Sequence, residues 1–117
     1  MKLPKASSDA AGQFEALVPA AVGVTKKLMF GQPAAFVNGN LFFGVFGDSV
    51  FVRLSEKDRA EAGRLPGFVP FEPMPGRAMK AYVVLPMGVL RKRAESSKWV
   101  KRSLEFVATL PPKGNRA

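Results

Sequence analysis

Asn38-Gly39 stands between two apolar runs, residues 34–37 and 41–46, and constrains the fold more than any other pair in the chain. A type I′ turn needs positive φ at both central positions, which Asn and Gly tolerate best, so the pair predicts a tight antiparallel hairpin. A further strand is expected over 27–30. Gly47-Asp48-Ser49 turns the chain into a fourth over 50–54. The result is an antiparallel meander.

Helical signals flank the meander. Ser8 and Asp9 are placed to cap a first helix, with Phe14, Leu17, Val18, Ala21 and Val22 at helical spacing behind them. Pro19 ends or kinks it near Val18. Ser55, with Asp58 three residues on, caps a second helix that stops at Gly63. Residues 65–76 hold four Pro and two Gly and read as a stiff irregular connection. A fifth strand is expected over 79–85 and a last helix over 94–110, closed by Pro111-Pro112. The order α-β-β-β-β-α-β-α gives an α+β fold, with helices packed on an antiparallel sheet of about five strands.

At 117 residues the chain fits one domain, with residues 1–7 and 114–117 expected to be flexible. There is no Cys and no His, which excludes disulfides, thiol nucleophiles, imidazole ligands and a Ser-His-Asp triad. Glu56, Asp58 and Glu61 alternate with Lys57, Arg59 and Arg64, the pattern of an ion-paired surface rather than of an acid–base pair. No glycine cluster sits at a strand-to-helix junction with a following Gly-Lys-Ser/Thr. These features favour a non-enzymatic protein without a cofactor or metal. A small enzyme or ligand-binding protein of unknown substrate is the second reading. No signal peptide or membrane span is expected, and a cytoplasmic location follows from that and the absence of Cys.

Charge is distributed unevenly. Residues 77–117 carry ten basic and two acidic side chains, a net +8 of the chain's +9. Arg77, Lys80, Arg91, Lys92, Arg93, Lys98, Lys101 and Arg102 are therefore the candidate nucleic-acid or anion-binding residues. On a helical wheel Lys101, Arg102, Glu105 and Thr109 fall within about 60° of Lys98, opposite Trp99, Val100, Ser103, Leu104, Phe106, Val107 and Leu110. Two readings stand side by side: a patch for DNA or RNA without sequence preference, or a solubilising face.

Six of the ten Phe (30, 36, 42, 43, 46 and 51) lie in the meander, and residues 41–46 are apolar on both faces. One reading is a stacking platform for single-stranded nucleic acid. Burial on both faces is the better one, because a half-solvated strand alternates. Cover from the Pro-rich connection or from a second copy would supply it, hence an expectation of self-association.

Met29-Phe30-Gly31, then Phe36, Asn38-Gly39, Phe42 and Arg53-Leu54, run in the order seen in the TfoX N-terminal domain family of Sxy-like competence regulators, which the chain resembles. The resemblance continues through Phe71, Met74, Gly76-Arg77, Met79-Lys80, Tyr82-Val83, Trp99-Val100, Leu110-Pro111 and Lys113. It implies a secretion-chaperone-like α+β fold, no catalytic residues, and a bacterial protein partner in the transcription machinery. Full-length regulators of this family carry a second, helical domain and help the cyclic-AMP receptor protein activate competence promoters. This chain is expected to be the N-terminal domain standing alone. Gly31 and Gly76 are expected in turns and Trp99 in the core.

Overall fold

The computed structural model of the chain describes residues 5–29, 31–73, 76 and 79–112. Phe30, Met74, Arg77 and Lys113 lie outside them. The elements are α1 (Ser8–Leu17), β1 (Val24–Met29), β2 (Gln32–Val37), β3 (Asn40–Phe46), β4 (Ser49–Arg53), α2 (Glu56–Ala62), β5 (Val69–Pro70), β6 (Tyr82–Val84), α3 (Met87–Leu90) and α4 (Arg93–Val107). The fold is α+β. The six strands among the described residues form one antiparallel sheet in the order β1-β2-β3-β4-β6-β5.

The hairpin turn has the expected form, with Asn38 at φ 52° and Gly39 at φ 83°. Gly31 (φ 78°) and Gly76 (φ 77°) likewise hold left-handed turns. Other details differ from expectation. Ser7, not Ser8, caps α1. Its hydroxyl accepts from the Ala10 N–H at 3.1 Å, and its own N–H donates to the carbonyl of Gly47 at 3.0 Å. Ser55 caps α2 as expected, accepting from the Asp58 N–H at 3.2 Å. The Pro-rich segment contributes β5, and a one-turn helix, α3, precedes α4. The fifth expected strand shrinks to Tyr82–Val84, the stretch that pairs with β4, and Val83 and Val84 pair with β5 as well.

The unbroken apolar run of β3 is explained by a bulge. Leu41 pairs with Phe36 and Phe43 with Ala35, so Phe42 is an extra residue on β3. Phe42 and Phe43 both enter the core beneath the helices, where Phe43 stacks on Phe14 of α1 with centroids 4.8 Å apart. The Ser103 hydroxyl of α4 donates to the carbonyl of Phe42 at 2.7 Å and ties the bulge to the helix. Register resumes with Gly44 and Phe46 on the opposite face. There Phe71, from the Pro-rich connection, stacks on Phe51 at 4.4 Å and meets Phe46 and Tyr82 edge-on. Burial pushes the Tyr82 phenol above its ordinary pKa; the charge of Arg53 and a hydrogen bond to it pull the other way and only partly offset this.

Both faces of β3 are therefore covered within one chain. Phe42, Phe43 and Phe51 are fully buried, which removes the stacking platform and the motive for self-association through this strand.

Gly44 makes this second layer possible. A Cβ there would lie 2.8 Å from Cζ of Phe51 and 3.3 Å from the backbone oxygen of Pro33. The Phe51 ring is held by Phe71 and cannot swing away. Gly44→Ala is expected to cost about 1–3 kcal/mol as overpacking, read as a lower urea midpoint at unchanged slope. An unchanged midpoint would mean that the Phe51–Phe71 stack yields.

Candidate nucleic-acid interface

The candidate cations fall into three settings. Arg91 ends α3, Lys92 is the N-cap of α4 and Arg93 is its first residue; all three are exposed. Lys101 lies eight residues beyond Arg93 on the solvent side of α4, about 12 Å along the axis. With three consecutive cations and a fourth about two helical turns on, the four place basic side chains along the solvent side of α4. Among the described residues the ion pairs are Lys26–Glu15, Lys98–Glu95 and those of Arg102 with Asp58 and Glu61, so none engages the four.

The start of α4 is an unusual place for such charges. Its unpaired N–H groups and aligned peptide dipoles make a helix N-terminus electropositive, and cations are ordinarily disfavoured there. Lys92 provides no side-chain cap, and Glu95 is the sole acid in the first turn. Helix and side chains thus add positive potential at one corner, where an anion is favoured. A cleft of about 340 Å³ beside Arg93, between α1 and α3, is walled by Asp9 and Asp48, which bounds the basic surface on that side.

The second setting is structural. Arg102 reaches Glu61 at 2.9 Å and Asp58 at 3.7 Å on α2, with its guanidinium 4.9 Å from the centre of the Trp99 ring. Lys98 pairs with Glu95 at 3.2 Å, and its ammonium lies 5.6 Å from the centre of the Trp99 ring. Trp99 itself is 1% exposed, so these side chains roof the core. Of the expected solvent-facing stripe of Lys98, Lys101 and Arg102, Arg102 also holds α2 to α4. Its partners lie more than 40 residues away in the chain, beyond any local pattern.

The third setting is the far side of α2. Lys80 is exposed just before β6, and its carbonyl accepts from Arg59 at 2.8 Å. Arg77 lies outside the described residues. Of the family-motif positions, Met29 ends β1 half-buried, and Gly76 donates its N–H to Glu72 at 2.9 Å. Sequence reasoning missed the helix terminus as a source of potential, although Lys92-Arg93 directly before a helical pattern was its visible sign.

Comparison with known proteins gives one family. The model of the TfoX N-terminal domain matches residues 15–107, from the second half of α1 to the end of α4. No curated protein matches the chain.

Proposed function

Because the chain belongs to the TfoX N-terminal domain family, we propose that it is a non-enzymatic regulatory domain, a transcription or competence co-regulator. It works through contacts with a protein partner and holds nucleic acid weakly, without sequence preference. The observation that carries the nucleic-acid part is the basic surface of Arg91, Lys92, Arg93 and Lys101, none of them in an ion pair among the described residues, reinforced by the start of α4. Its side chains suit phosphates along a backbone and offer no fixed array for reading base edges. The non-enzymatic part is supported by a sequence without His or Cys, and by carboxylates such as Asp58, Glu61 and Glu95 that are held in surface ion pairs.

Four phosphate contacts give a log–log salt slope near about −3.6 on duplex DNA, from roughly −0.9 per phosphate. Between 50 and 200 mM salt, affinity for a labelled duplex is then expected to fall about 150-fold. Fluorescence anisotropy at several salt concentrations measures this. A slope near zero would remove nucleic acid from the reading and leave protein contacts alone.

A further inference from the structure

We propose that β1 is a docking edge, on which an extended acidic segment of a partner protein adds as a seventh strand. This rests on the reading that the chain acts through protein contacts, and it names the chemistry of the contact.

β1 closes one side of the sheet, pairing among the described residues with β2 alone. Pro33 has no N–H to give, so Leu28 and Pro33, which face each other, form a non-bonded pair. Antiparallel pairs alternate, so Lys26 and Ala35 are non-bonded too. The N–H and C=O of Lys26 and Leu28 consequently point out of the sheet. They offer four ladder positions to another strand. The opposite edge, β5, is two residues long and contains Pro70.

Side chains along β1 set the partner's chemistry. Residues 25–28 are exposed, Leu28 at 72%. Two clefts flank Lys26: one of about 530 Å³ lined by Val18, Pro19, Val22 and Val24, and one of about 230 Å³ lined by Phe14, Leu28 and Pro33. Apolar side chains at alternate positions of an added strand would sit over them. Between them the edge presents Lys26 and Lys27. Glu15 holds Lys26 at 3.2 Å, but both side chains are more than half exposed, so the pair exchanges readily.

Lysines on an edge also guard against aggregation, and here they exclude a second copy as occupant. An antiparallel two-fold pairing of β1 centred on the strand sets lysine against lysine, which is repulsive. The same two charges attract a strand bearing carboxylates at the matching positions. The favoured antiparallel register is an apolar residue opposite Leu28, acids opposite Lys27 and Lys26, Thr opposite Thr25, and an apolar residue opposite Val24.

A synthetic peptide, acetyl-Thr-Val-Glu-Glu-Thr-Val-Thr-amide, probes this against the whole ¹⁵N-labelled chain. Binding is expected to saturate, and exchange of the Lys26 and Leu28 amides should slow at least about tenfold at saturation. Lys26→Glu with Lys27→Glu should weaken binding about tenfold or more and shift preference to the Lys-Lys version of the peptide. Leu28→Pro removes one outward N–H while keeping both charges, and should also weaken binding; unchanged amide spectra for β3 and β4 verify its fold. Absence of protection at millimolar peptide, or binding unaffected by both variants, overturns the proposal. So does concentration-dependent protection of the same amides without peptide, which would make a second copy the occupant. Duplex binding at the α3–α4 corner is measured separately. If it persists while the peptide fails, the edge assignment alone falls.

Discussion

Trp99→Ala is expected to lower stability by about 3–5 kcal/mol. The indole is 1% exposed at the middle of the buried face of α4, in the same core cluster as Phe42, Phe43 and Leu54. Removing it leaves a cavity that the sheet beneath cannot collapse to fill. It also strips the ring from under Arg102, whose ion pairs to Asp58 and Glu61 join α2 to α4. A domain of this size has about 5–15 kcal/mol in total, so the variant will be close to unfolding at 37 °C. Among the described residues the indole nitrogen has no hydrogen-bond partner. Trp99→Phe therefore loses volume only, and should cost less than half as much. Urea denaturation of both variants reads the difference. A loss below about 1 kcal/mol for Trp99→Ala would mean that α4 is not anchored through this ring.

What the sequence made legible is local. Asn38-Gly39 and Ser55 act within three or four residues, so turn and cap can be read without a partner. Trp99, Val100, Ser103 and Val107 recur at helical spacing, which shows the buried face of α4 directly. Leu104, Phe106 and Leu110 complete that apolar side but are only half-buried. The bulge at Phe42 is different in kind: an unbroken apolar run has no period, so an extra residue leaves no mark on it. The cover on the second sheet face was legible as a need and not as a structure, since Phe71 sits in a segment whose prolines signal only irregularity. α3 escaped because one turn around Gly88 is too short to show a period.

The candidate interface follows the same division. Charge is a property of composition and was visible at once. Which charges remain available depends on contacts between distant segments, and Arg102 is committed by residues of α2 that no window around it contains. Lys27 was read only as the start of a strand over 27–30, and Lys26 fell outside it, whereas β1 holds both. Their position at the sheet edge follows from topology, and the outward direction of the backbone follows from Pro33 on the neighbouring strand.

Reversing Arg91, Lys92, Arg93 and Lys101 to Glu together should reduce duplex DNA binding at least about 100-fold at 50 mM salt and bring the salt slope toward zero, because the counterion release that drives binding is lost with the contacts. Stability should move little. Glutamates at positions 92 and 93 would meet the electropositive end of α4, where a carboxylate gains about 0.3–1 kcal/mol at low ionic strength. Lys101 has no ion-pair partner among the described residues to lose. Arg102 is left out of the set because its ion pairs are structural, and including it would confound the two readouts. The opposed signs are what separate a binding surface from a solubilising one: the native cations are unfavourable for the helix they begin, and they make physical sense if an anion meets them. Anisotropy and urea denaturation on the same preparation test both halves. Unchanged affinity in the fourfold variant would assign the basic surface to solubility and leave the regulatory contact to other faces of the domain.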